Sequence, residues 1–190
     1  MGWKRLLRAI LAATSLGVLS ACSALPPAPE ISPTDIAAQY RLGAGDQIRI
    51  TVFNQANLSG DFAVDESGSI SMPLLGPVKA GERTPRELEQ LIASELGKGG
   101  YLVSPRVAVQ VSQFRPYYIL GEVAQPGSYP YIASLTVRKA VAAARGFTYR
   151  ANTERVFIQR AGEKEEHLYE LTPAAAVLPG DTIRIPERRF

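Results

Sequence analysis

Leu42-Gly43-Ala44-Gly45-Asp46-Gln47-Ile48-Arg49-Ile50 returns near the other end of the chain as Leu178-Pro179-Gly180-Asp181-Thr182-Ile183-Arg184-Ile185. Each copy reads as a Gly-Asp turn feeding an alternating strand. The glycine can take a positive φ, and the aspartate can accept from nearby backbone N–H groups. Ile48 and Ile50, like Ile183 and Ile185, share one face at period two, with Arg49 and Arg184 turned the other way. Two readings stand: a common turn-plus-strand unit used twice, or equivalent positions in two small β-rich domains in tandem.

Outward from the first copy, 47–54 is a strand, Phe62 to Val64 a second and Ser69 to Met72 a third. A turn at 65–68 includes Gly68, and Pro73 ends the third strand. Gly76-Pro77-Val78 leads on to Gly81. Thr84 then caps a helix, with Pro85 at its first position and Glu87 at its third, a capping box. Leu88, Leu91, Ile92 and Leu96 make its apolar stripe. Val107, Val109 and Val111 alternate on a strand over 105–112. In the second half, 117–123 is a strand that runs through Gly121. Gln125-Pro126-Gly127 is a tight turn, of type II if Gly127 takes φ > 0. Residues 128–132 return as a hairpin arm, and a helix over 135–144 stops at Gly146. Short strands come next at 154–160 and 167–171, and 177–186 closes the chain.

The N-terminus is basic, then apolar. Lys4, Arg5 and Arg8 precede an apolar run over 9–19 that is too short to span a bilayer. Leu19-Ser20-Ala21-Cys22 comes directly after it and resembles the bacterial lipobox. In that motif the chain is cut ahead of the cysteine, here between Ala21 and Cys22, and the thiol carries lipid. Two or more acyl chains give stable anchoring. Ser23, where an aspartate would favour the inner membrane, implies sorting to the outer membrane. Residues 25–34 carry Pro26, Pro27, Pro29 and Pro33 and read as an extended linker.

Composition excludes several classes. The three basic residues of the N-terminus account for the whole formal charge of +3, so the processed chain is balanced and carries no nucleic-acid footprint. Cys22 is the only cysteine and His167 the only histidine. A lipidated Cys22 leaves no thiol for disulfides, and one histidine excludes a multi-histidine metal site. No cofactor fingerprint is present: Gly43-Ala44-Gly45 lacks the third glycine of a dinucleotide loop, and 97–100 lacks the phosphate-loop spacing. Glu165 and Glu166 are adjacent and face opposite ways on a strand, a poor glycosidase pair. No catalytic set emerges.

The ordered motifs resemble a known family. Tyr40 to Asp46, Val64 to Ile70, Pro73-Leu74-Leu75-Gly76 and Gly81-Glu82-Arg83-Thr84 look like the polysaccharide export domain. Leu120-Gly121-Glu122-Val123, Pro126-Gly127-Ser128-Tyr129, the 135–146 helix and Gly180-Asp181 look like the soluble-ligand-binding β-grasp (SLBB) domain. The resemblance is to Wza-type outer-membrane polysaccharide export lipoproteins. It implies an α+β fold: a mixed-β export domain with one helix, then a β-grasp-like SLBB domain. The implied division is a signal peptide over 1–21, a lipidated Pro-rich linker over 22–37, the export domain over 38–113 and the SLBB domain over 114–190. It further implies a ring, often octameric, whose lumen conducts capsular or exopolysaccharide across the periplasm and outer membrane. The implied partner is an inner-membrane co-polymerase, or chain-length regulator. The chain ends at Pro186-Glu187-Arg188-Arg189-Phe190 without the amphipathic C-terminal helix of long members, so either a separate outer-membrane channel or a different use of the lipid ring is expected.

Transport along a lumen needs no bond cleavage, only a wet surface that binds sugar weakly. Gln47, Arg49, Thr51 and Asn54 alternate on one strand face and suit such a lumen, a neighbouring subunit or plain solvent. Tyr117, Tyr118, Tyr129 and Tyr131, with Phe114, are candidates for sugar contact, or for core and interface packing. The alternative to a ring is a monomeric, lipid-anchored carbohydrate-binding module.

Overall fold

The computed structural model describes residues 25–30 and 40–188. The signal, Ala21 and Cys22 lie outside the described residues. Two hydrophobic cores form: one draws on residues before 113, and the other on residues after it together with Ala28.

The first core is built on β1 (Gln47–Val52), the central strand of an antiparallel sheet in the order β2-β1-β5, with β2 at Gly60–Ala63 and β5 at Val107–Gln113. Period-two alternation buries Ile48, Ile50 and Val52 and exposes Gln47, Arg49 and Thr51. Asn54 lies beyond the strand, in a turn with φ 59°, so it does not extend the polar row. A separate hairpin pairs β3 (Ser69–Met72) with β4 (Gly76–Lys79), turning through Pro73. β4 is a strand that Gly76-Pro77 concealed in the sequence. The hairpin's base closes where Gly68 and Gly81 meet backbone to backbone.

Helix α1 (Pro85–Lys98) completes the domain by burying Leu88, Ile92 and Leu96. Thr84 N–H donates to Glu87 Oε2 (2.8 Å) and Glu87 N–H to Thr84 Oγ1 (3.2 Å). That reciprocal cap satisfies two orphan donors.

The second core lies under a five-stranded sheet in the order β7-β6-β10-β8-β9. The strands are β6 (Tyr117–Gly121), β7 (Gly127–Tyr129), β8 (Arg155–Gln159), β9 (His167–Glu170) and β10 (Thr182–Ile185). β6 and β10 are parallel and the other pairings antiparallel. Helix α2 (Val137–Ala143), capped by Thr136, buries Val137, Ala140 and Val141. Gly146 lies just past it at φ 93°. Gly127 does not take a positive φ; it is extended and begins β7, so the β6–β7 turn is not closed by a left-handed glycine there.

The proline-rich stretch is not a free linker over 25–30. Glu170 N–H donates to Pro26 O (2.9 Å), Ala28 N–H to Glu170 O (3.0 Å) and Ala176 N–H to Pro29 O (2.9 Å). Pro27 thereby forms a parallel bridge with Glu170 beside β9, and Ala28 is 2% exposed within the second core. Proline tolerates such an edge position because its missing donor faces outward. The second domain therefore draws residues from both sides of the first.

Candidate functional site

The two Gly-Asp turns share one design and meet at one residue. Gly43 N–H donates to Asp46 Oδ2 (2.8 Å), and Leu178 N–H donates to Asp181 Oδ2 (2.7 Å). In both turns the carboxylate folds back on the residue three before it, past a glycine at φ 90° (Gly45) or 83° (Gly180). Both aspartates are buried.

Arg115 lies between the turns. Its backbone N–H donates to Asp46 Oδ1 (2.8 Å), and its Nε donates to Pro179 O (3.0 Å). Its guanidinium stands 4.0 Å from Asp46 Oδ2 and 5.7 Å from the centre of the Tyr40 ring. A Cβ on Gly43 would come within 1.6 Å of Arg115 Nη1, and one on Gly180 within 2.6 Å of its Nε. The glycines leave room for this arginine as well as turning the chain. An aromatic chain reinforces the joint: Tyr40 meets Phe114 edge-on at 5.1 Å, and Phe114 meets Tyr131 at 5.3 Å.

The electrostatics of the turns differ. Asp46 accepts a third hydrogen bond from the Tyr40 hydroxyl (2.6 Å). Burial, then this bond to Asp46, raise the Tyr40 pKa far above the phenol range. Asp181 instead pairs with Arg160. Burial pushes the Asp181 carboxyl above its usual range, against the opposing pull of Arg160 and the Leu178 N–H. The Tyr131 hydroxyl is buried without a hydrogen-bond partner, and burial, with the Asp181 charge, raises its pKa.

The four tyrosines that were candidates for sugar contact or for core and interface packing divide. Tyr117 and Tyr131 are core residues. Tyr129 stacks on Tyr117 across the β6–β7 pair (5.9 Å) and donates its hydroxyl to Gln125 O (2.7 Å). Only Tyr118 turns its ring outward, onto the open face of the second sheet. Its register neighbours there include Thr182, and Leu120 stands beside Arg184. The Arg184 guanidinium lies 3.8 Å over the Phe157 ring and pairs with Glu166, whose carboxyl pKa it lowers. No local pattern signals this stacked arginine, because its partners sit on β8 and in the loop before β9. His167 is exposed, 3.8 Å from Glu163.

On the first domain the polar face holds Gln47, Arg49 and Thr51, with Arg49 bidentate to Asp61 (2.8 Å on both arms). Of the remaining motif positions, Pro126 lies in the β6–β7 turn and Gly121 ends β6. Among the described residues no cluster of three metal-ligating side chains forms.

The described residues thus form two β-rich domains joined at paired Gly-Asp turns through Arg115. Comparison with known proteins gives the family. Residues 34–112 match the model for polysaccharide biosynthesis/export proteins, and residues 116–168 match the SLBB domain. The chain carries a polysaccharide export domain followed by an SLBB domain, the arrangement of Wza-type polysaccharide export proteins. It is 33% identical over 173 residues to the exopolysaccharide production protein ExoF of Rhizobium meliloti, covering 80% of this chain and 41% of that protein. It is 31% identical over 97 residues to the polysialic acid transport protein KpsD of Escherichia coli, covering 50% of this chain and 17% of that one. The chain thus spans less than half the length of these relatives.

Proposed function

We propose that this chain is a lipid-anchored subunit of an oligomeric ring that conducts a secreted polysaccharide across the periplasm and outer membrane. The observation that carries the reading is the joint. Arg115 fixes the export domain to the SLBB domain through both Gly-Asp turns, and a closed ring needs subunits of constant shape. The wet face of Gln47, Arg49 and Thr51 offers a surface on which polymer slides without tight capture. The role is non-catalytic.

The end of the first domain opposite the joint suits docking to an inner-membrane co-polymerase. Phe53 (64% exposed) follows β1, and Tyr101 and Val103 (98% exposed) lie in the loop that leads into β5, whose Arg106 O accepts from the Phe53 N–H. Exposed apolar side chains at one end of a domain suit an interaction surface.

Mass measurement and electron microscopy of the detergent-extracted, full-length protein test the ring. A discrete closed oligomer is expected. A single-chain species under all conditions would replace the ring with the monomeric carbohydrate-binding module. Deleting the gene is expected to abolish surface polymer while early synthesis continues; unchanged surface polymer overturns the export role.

A further inference from the structure

We propose that Glu89 guards the outer edge of β5 and keeps that strand from pairing with the same strand of a second copy. This goes beyond the ring reading and does not rest on it: whatever surfaces copies share, this edge is not among them.

β5 needs a guard because of its composition. Val107-Ala108-Val109-Gln110-Val111-Ser112-Gln113 is the longest strand among the described residues and contains no charge, proline or glycine. It is also an outer strand, in the order β2-β1-β5. A long, uncharged edge rich in β-branched residues is a template for another copy of itself. The other outer strands carry their own protection. Pro27 lies along β9, β7 is three residues between Pro126 and Pro130, and β2 holds Gly60 and Asp61. The β3–β4 hairpin has Pro77 and Lys79. β5 has nothing of the kind in its own sequence.

The protection comes from α1. Antiparallel pairing turns the backbone groups of β5 alternately toward β1 and away from it. Phe53 N–H donates to Arg106 O (2.9 Å), and Ala108 and Gln110 stand opposite Thr51 and Arg49 in the same phase. Val107, Val109 and Val111 therefore point their N–H and C=O groups outward. The central donor of the three is taken: Val109 N–H donates to Glu89 Oε1 (2.9 Å). α1 packs against β5 and buries Leu88, Ile92 and Leu96, which holds the half-buried Glu89 at the strand's edge. A strand added here would have to displace this carboxylate from the middle of the ladder and cover it without its donor, a cost larger than one ladder bond returns. A two-fold β5–β5 pair centred near Val109 would also bring two Glu89 carboxylates together.

Removing the acceptor in the full-length, detergent-extracted protein tests this. Alanine suits a helix interior, so Glu89→Ala keeps α1 and frees the Val109 N–H. Sedimentation velocity is expected to show a concentration-dependent species of doubled mass relative to the parent. Hydrogen exchange is expected to show the Val107 and Val111 amides slowed in that species. Ala108 is exposed on the other face of β5, and a lysine there puts a charge on the strand itself. The Glu89→Ala, Ala108→Lys double variant is therefore expected to return to the parent's mass distribution, a rescue that a surface lysine could not give to a misfolded protein. Glu89→Ala with the parent's mass at every concentration overturns the proposal. So does a larger species whose Val107 and Val111 amides exchange as fast as the parent's. Larger species that persist in the double variant assign the association to another surface and overturn it as well.

Discussion

Asp46 and Asp181 occupy the same turn, yet each is neutralised differently. Each folds its carboxylate onto the backbone three residues back, and each comes directly after a glycine of positive φ. That much is local and repeats wherever the Gly-Asp pattern does. The groups that complete each carboxylate are remote. Asp46 takes three hydrogen bonds, from Gly43, Arg115 and Tyr40, with a guanidinium held at 4.0 Å. Asp181 leans on Arg160, with its pKa raised by burial. The same turn can therefore carry a nearly satisfied anion in one domain and an arginine-dependent one in the other.

Removing Arg160 breaks the comparison most severely. Arg160→Ala leaves Asp181 buried without its cation, and stability is expected to fall by about 3–5 kcal/mol at neutral pH in urea unfolding. The sign with pH is specific. A carboxyl whose folded pKa lies above its unfolded value contributes most at low pH and loses that contribution as pH rises through the folded pKa. The Arg160→Ala deficit should therefore shrink as the solution is acidified and Asp181, whose pKa burial raises, takes up a proton. A deficit independent of pH would mean that Asp181 is not the residue Arg160 serves.

Arg115→Ala sharpens the comparison, because this arginine touches both turns. It removes the Nε bond to Pro179 O and the stacking on Tyr40, but keeps the backbone N–H to Asp46. A loss of about 1.5–3 kcal/mol is expected from a charged hydrogen bond of this kind. The cores on either side of it are separate, so the single unfolding transition should split into two. One transition with unchanged midpoint would show that the aromatic chain alone holds the domains together.

The legible parts of this molecule are those whose causes lie within a few residues. Helix α1 stands at its predicted start because Thr84, Pro85 and Glu87 supply cap, first position and capping box within four residues. The two Gly-Asp turns were visible for the same reason. Arg115 was not, because its partners Asp46 and Pro179 lie 69 and 64 residues away in the chain. Nor was the docking of 25–30, since prolines announce an extended backbone but not the edge it lies along. Tyr117 and Tyr118 show the limit of alternation: the pattern says they face opposite ways, and only packing under α2 decides which one is core. β4 was hidden because Gly76 and Pro77 signal a turn, although an edge strand tolerates both.

The finest distinction between the turns lies in Tyr40, the donor that Asp181 lacks. Tyr40→Phe keeps the ring contact with Phe114 and removes only the hydroxyl bond to Asp46, for an expected loss of about 1 kcal/mol below pH 9. Above that range the balance moves toward the variant. Tyr40's folded pKa is raised, so in the parent its contribution is complete below the unfolded phenol value of about 10 and declines as pH climbs past it. Phenylalanine has no proton to lose, and its disadvantage should close as pH passes 10. Tyr117 and Tyr131 are raised as well, so some alkaline slope remains in the variant. Urea unfolding of parent and variant between pH 8 and 11 measures the difference (approximate bounds around the phenol value). Parallel curves across that range would mean the Tyr40 proton is not held by the first turn.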